Sequence, residues 1–178
     1  MLKEGRLEIG REAVLESNVT VHSPSGVIRI GRRAYISRGV TLGAVGLVEI
    51  GDFALIGPGC YITDSNHVFS DPEVPVPDQG VLSNGPTIIE DNVWLGANVV
   101  VTSGVRIGRR CVIGANSVVT HDIPEFTIAA GSPARAISLA GPPRPPGPPR
   151  PAPAVNGSGA ADPPQGAADP PQGALDPR

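Results

Sequence analysis

The stretch IEDNVWLGANVVVTSGVRIGRRCVIGANSVVT, residues 89–120, carries a large aliphatic side chain at every sixth position: Ile89, Leu95, Val101, Ile107, Ile113 and Val119. Four places after each of the first five stands a small or β-branched residue, namely Val93, Val99, Val105, Cys111 and Ser117. Glycine follows the aliphatic at Gly96, Gly108 and Gly114. A period of six fits neither the 3.6 of an amphipathic helix nor the alternation of a lone strand. It fits a coil of three short strands joined by turns, with the aliphatics pointing inward and glycine easing each bend. Hexapeptide repeats of this kind predict an all-β parallel β-helix.

Upstream the repeat continues with breaks. Ile9, Leu15 and Val21 form one set, with Ala13 and Val19 as small partners. Ile30, Ile36 and Leu42 form a second with Ala34 and Val40, and Ile50, Ile56 and Ile62 a third with Ala54 and Cys60. The run from Ile89 supplies two more, so about five coils are expected, on the order of 24 Å tall at the usual strand spacing. Small excesses between sets predict bulged corners at Ser23-Pro24-Ser25-Gly26 and Gly43-Ala44-Val45-Gly46. The third break is larger. Ile62 to Ile89 spans 27 residues, 21 more than the period requires, and contains Pro72, Pro75, Pro77 and Pro86. One long inserted loop, 63–87, is therefore expected to wall a cleft or reach a neighbouring subunit.

After Val119 the repeat is expected to stop at Pro124, with Phe126 and Ile128 covering the open end. Residues 1–140 form the expected repeat domain. From Gly141 the sequence runs GPPRPPGPPRPAPAVNGSG into an AADPPQG repeat, and 13 of the chain's 21 prolines lie there. Residues 141–178 thus predict a disordered Pro-rich C-terminal tail.

Aromatics make up only 3% of the chain, in keeping with a narrow aliphatic core. A net charge of −3 with mixed signs gives no expectation of nucleic acid as a partner. The N-terminal MLKEGRLEIG has no signal-type apolar run and no stretch approaches a membrane span, so a cytoplasmic protein with no membrane insertion is expected. Cys60 and Cys111 both take the small inward position on different strands, and are expected to be buried, reduced and unpaired.

Three histidines carry the candidate chemistry. His22 and His121 fall at coil corners, where side chains face solvent. His67 opens the long loop, and imidazole is a natural general base near neutral pH. Asp64, three residues earlier, is a candidate orienter of its ring, or equally an Asx-turn cap of the loop.

The six-residue repeat, ITDSNH, IEDNVWLGANVVV, VIGANSVVTHDIP and AAGSPARAI, in that order, resemble the hexapeptide-repeat acetyltransferases. The likeness covers about residues 7–137, and is greatest to the sugar and polysaccharide O-acetyltransferases: galactoside, maltose, colanic-acid and lipopolysaccharide enzymes. The resemblance implies a left-handed parallel β-helix and a homotrimer with acetyl-CoA in the groove between adjacent helices. It implies a sugar or glycan acceptor, no metal, and His67 as the base that deprotonates the acceptor hydroxyl. By the same resemblance Trp94 and Ala97 border the cofactor, Ala115 and Thr120 match backbone contacts to its pantetheine arm, and Arg135 meets its phosphates.

The match has departures. His121 stands where the family commonly has lysine after VVT, and SLAG replaces its usual basic tail. The repeats begin near Leu7, which points to the polysaccharide-modifying branch. An antibiotic acetyltransferase would share the fold and the single histidine. A structural β-helix without chemistry would have no use for the long insertion. A γ-type carbonic anhydrase would need three clustered histidine ligands, whereas His22, His67 and His121 lie 45 and 54 residues apart.

Overall fold

A computed structural model describes residues 5–140, and the proline-rich segment expected to be disordered lies outside the described residues. The first coil comprises β1 (Arg6–Ile9), β2 (Val14–Leu15) and β3 (Thr20–His22); the second, β4 (Val27–Ile30), β5 (Tyr35–Ile36) and β6 (Thr41–Gly43). The third contains β7 (Leu47–Ile50), β8 (Leu55–Ile56) and β9 (Tyr61–Thr63). An arm of two strands follows, β10 (Ser65–His67) and β11 (Val81–Ser83). Next come β12 (Thr87–Ile89), β13 (Trp94–Leu95) and β14 (Val100–Val101), then β15 (Arg106–Ile107), β16 (Val112–Ile113) and β17 (Val118–Val119). Finally, β18 (Thr127–Gly131) and β19 (Ala134–Leu139) close the C-terminal end.

The strands stack into three sheets, the faces of a parallel β-solenoid. The first runs β1-β4-β7-β12-β15, the second β2-β5-β8-β13-β16-β18-β19 and the third β3-β6-β9-β14-β17. Register is set by the repeat: Ile9 pairs with Ile30, Ile30 with Ile50, Ile50 with Ile89 and Ile89 with Ile107. Ile36, Leu42, Ile56, Ile62, Leu95, Val101 and Ile107 are fully buried in one continuous aliphatic core. Each inward side chain of this size contributes roughly 1.5–3 kcal/mol by leaving water. The first coil lies at the solenoid's end, so its inward Ile9 remains half exposed.

Five complete coils and a partial sixth are formed, about six turns where the spacing predicts about five. Ile123 bridges to Ile107 in the first sheet, and β18 pairs with β16 in the second. Phe126 therefore does not cover the open end: it sits at a corner with the Arg109 guanidinium 5.1 Å from its ring centroid. Nor does Ile128, which pairs with Val112 on the outer face while Thr127 and Ala129 point in. Beyond β18, β19 folds back antiparallel and forms the last strand of the second sheet.

The role expected of glycine is also corrected. At the corner between the first and second sheets, the left-handed residue is Glu12, Arg33, Phe53, Asn92, Arg110 or Phe126, each with φ between 54° and 60°. Gly31, Gly51, Gly96 and Gly108 instead keep stacked corners close: a Cβ at Gly31 would lie 2.4 Å from the Gly51 carbonyl carbon. Carboxylates tie these corners together, with Asp52 Oδ1 accepting from the Arg32 N–H and Asp91 Oδ1 from the Asp52 N–H. Extra length gathers at one edge. The bends at 23–26 and 44–46, and the arm itself, all lie between the third and first sheets.

Both cysteines are free and buried, and burial pushes both thiols above their ordinary pKa. The thiolate is the reactive form. Native protein at pH 8 is therefore expected to react with an aromatic disulfide reagent at least tenfold more slowly than the denatured chain. Two fast equivalents in native protein would contradict this.

Candidate active site

The 63–87 insertion is an ordered hairpin arm. Ser65 pairs with Ser83, Asn66 with Leu82 and His67 with Val81, and the Val68 N–H donates to the Gly80 carbonyl at 3.0 Å. Further out, Gln79 organises the tip: its Oε1 accepts from the Asp71 N–H, and its Nε2 donates to the carbonyls of Asp71 and Val74. His67 is exposed on the first strand of the arm. Asn66, Val68, Phe69, Ser70, Leu82 and Asn84 join it around a cavity of about 370 Å³. None of these six stands out in the sequence as a candidate. Their signal is local: two short strands separated by a turn-rich, Pro- and Gly-containing span.

The root of the arm is held by buried hydroxyls. Ser103 Oγ donates to the Asp64 carbonyl at 2.5 Å and accepts from the Asn84 N–H at 3.0 Å, so one side chain grips both ends of the insertion. Thr87 Oγ1 donates to the Thr63 carbonyl at 2.9 Å and accepts from the Gly104 N–H at 3.1 Å.

Asp64 is where geometry departs from expectation. Its carboxylate is fully buried and accepts three backbone N–H groups: Val45 on Oδ1 at 2.9 Å, and Gly46 and Leu47 on Oδ2 at 2.7 and 2.6 Å. It therefore caps the preceding corner, and its oxygens are not offered to the His67 ring. Gly46 leaves the room, since a Cβ there would stand 3.0 Å from Asp64 Oδ2. The alternative Asx-turn within the loop is not formed either, because the donors come from a corner 17–19 residues upstream.

The other candidate residues fall into two groups. Trp94 is 51% exposed on the outer face of the second sheet, between Leu55 and Val112. Ala97 and Ala115 are stacked at the corner between the second and third sheets, where the Asn116 N–H donates to the Ala97 carbonyl at 2.9 Å. Thr120 lies at the other edge of the third sheet, the edge that carries the arm, with its hydroxyl 2.9 Å from His121 Nδ1. Arg135 is exposed on β19. Within one chain, the third sheet thus stands between His67 and the group formed by Trp94, Ala97 and Ala115. His22 and His121 are both exposed, as their corner positions predict. Among the described residues, no three His, Cys, Asp or Glu side chains gather into a cluster that could hold a metal ion. No helix among them is long and apolar enough to cross a membrane.

Comparison with known proteins places this solenoid. A family model described as the hexapeptide repeat of succinyl-transferase matches residues 86–121. A hexapeptide-repeat-containing acetyltransferase from Vibrio cholerae, solved in complex with acetyl coenzyme A, superposes with a TM-score of 0.62 and 34% identity, over 74% of this chain and 73% of that one. The chain belongs to the hexapeptide-repeat acetyltransferase family. A galactoside acetyltransferase solved with coenzyme A superposes on this hexapeptide-repeat chain with a TM-score of 0.63 and 34% identity, covering 76% of this chain and 66% of the other. The galactoside O-acetyltransferase of Escherichia coli is 37% identical over 141 residues, which are 77% of this chain and 66% of that protein. The chain spans from 44% to 66% of the length of five curated relatives that it matches.

Proposed function

We propose that this protein is an acetyl-CoA-dependent O-acetyltransferase that acts on a hydroxyl of a sugar, polysaccharide or glycosylated precursor. The observation that carries the reading is His67, exposed beside a cavity on an ordered arm of a solenoid whose structural relatives were solved with acetyl-CoA or CoA. An acceptor hydroxyl held in that cavity is a weak nucleophile until a base takes its proton. As the oxygen attacks the thioester carbonyl carbon, the His67 imidazole takes the hydroxyl proton. The C–O bond forms, the C–S bond breaks, and the proton passes to the departing thiolate to give CoA-SH. Backbone N–H groups near the thioester would stabilise the oxyanion.

Trp94, Ala97, Ala115, Thr120 and Arg135 are the residues assigned to acetyl-CoA. Because the third sheet separates His67 from Trp94 in one chain, a second copy supplying one group and the first supplying the other fits the split. This favours a homotrimer with acetyl-CoA in the groove between neighbouring solenoids. The cavity's size suits an acceptor of one or a few rings, since ligand pockets run upward from about 300 Å³.

The experiment that tests the reading is thiol release from acetyl-CoA with a panel of glycoside acceptors. Acceptor-dependent release with an O-acetylated product supports it; acceptor-independent hydrolysis alone overturns it. Trp94→Ala is expected to weaken acetyl-CoA binding about tenfold, the equivalent of one aromatic contact, without loss of assembly. An unchanged dissociation constant would return Trp94 to a purely structural place in its apolar outer column.

A further inference from the structure

The charge pattern around His67 bears on which acceptors the arm can take. No lysine or arginine occurs between Arg38 and Arg106, so the entire arm and the coils that flank it are built without a cation. The arm carries Asp71, Glu73 and Asp78, all exposed. The cavity wall is neutral apart from the imidazole itself: two amides, one hydroxyl and the apolar Val68, Phe69 and Leu82. Phe69 is 77% exposed at its mouth.

We propose that this cavity accepts an uncharged, hydroxyl-bearing glycosyl unit and rejects anionic ones such as uronates, sugar phosphates and nucleotide-linked sugars; the inference rests on the acetyl-transfer reading of His67. Phosphate and carboxylate are recognised by guanidinium or ammonium groups in matched geometry, and the arm's side of the cavity offers none. An anion entering it loses water without gaining a counter-charge from the arm, and the arm's three exposed carboxylates add a negative field that salt screens over about 8 Å at physiological strength. A neutral pyranose meets complementary groups instead. The Asn66 and Asn84 amides and the Ser70 hydroxyl can exchange hydrogen bonds with sugar hydroxyls, while Phe69 offers a flat ring, and Leu82 further apolar surface, to the sugar's C–H face. Rejection by unpaired charge is a recognised route to specificity, distinct from added attraction.

The test uses acceptors with identical sugar hydroxyls that differ in a charge on the aglycone, such as propyl glucoside, 2-carboxyethyl glucoside and 2-phosphoethyl glucoside, assayed by thiol release with saturating acetyl-CoA. Acetyl-CoA binding is measured in parallel by calorimetry. The expected result is kcat/KM at least tenfold higher for the neutral member, with the ratio falling as salt rises. In the double variant Glu73→Lys, Asp78→Lys, outside the cavity wall, the ratio should fall severalfold through improved use of the anionic member. Phe69→Ala should raise KM for the neutral acceptor with acetyl-CoA affinity unchanged. Equal or better use of the anionic members, or a ratio indifferent to both salt and the lysine substitutions, would overturn the inference while leaving acetyl transfer intact. Absence of acetyl-CoA binding and of any thiol release would instead remove the acetyl-transfer reading, and this inference with it.

Discussion

His67→Ala is expected to lower acetyl transfer by about a hundred- to ten-thousand-fold, the range for losing a positioned general base. Acetyl-CoA affinity and the melting temperature should remain near those of the parent. The reason for the split is structural. His67 is exposed, and β10 is held by its backbone pairing to β11, so truncating the side chain removes no core contact. Steady-state thiol release at saturating acetyl-CoA, with calorimetry on the same preparation, checks both halves. A variant that kept most of its turnover would remove His67 from the chemistry. One that lost acetyl-CoA binding as well would point to a structural role for the arm.

The second large effect belongs to Asp64. Asp64→Ala removes the buried carboxylate that accepts the N–H groups of Val45, Gly46 and Leu47 at a part-buried corner. Hydrogen bonds to a charged acceptor are worth roughly 1.5–3 kcal/mol each, and the three together predict a loss of at least about 4 kcal/mol. That is a large share of the 5–15 kcal/mol typical of a folded domain. Asp64→Asn keeps one acceptor oxygen but turns an NH₂ towards an N–H donor, so an intermediate loss is expected. Urea denaturation of the three proteins checks the order parent, asparagine, alanine. A loss within about 1 kcal/mol for alanine would show that the corner is satisfied by other means. Activity adds a second readout: because the Asp64 carbonyl is also gripped by Ser103, loosening this corner should lower kcat more than it raises KM for acetyl-CoA.

The two predictions also mark what the sequence reveals and what it hides. The repeat is legible because burial imposes it. Ile30, Ile50, Ile89 and Ile107 must stack in one column, so the spacing of inward aliphatics is written directly into the chain. The insertion is legible as a break in that spacing, and His67 as the titratable group within it. The turning residues are not. Arg33, Phe53, Arg110 and Phe126 adopt left-handed backbone where glycine is the usual expectation. Arg33 lies 5.2 Å from the Phe53 ring centroid, a stacking contact between successive coils that nothing in the local sequence announces. The partners of Asp64 are hidden for a related reason. Its three donors are close in space only because one coil sits on the next, whereas His67 is its neighbour in sequence. The continuation past Pro124 was hidden as well, because the sixth coil departs from the hexapeptide spacing before Ile128 and Ala129 rejoin the second sheet.

Whether this solenoid uses acetyl-CoA is decided by calorimetric titration of the full chain with acetyl-CoA, which needs no knowledge of the acceptor. Saturable binding close to one site per chain is expected, weakened by Trp94→Ala and kept by His67→Ala. No binding up to millimolar acetyl-CoA would contradict it.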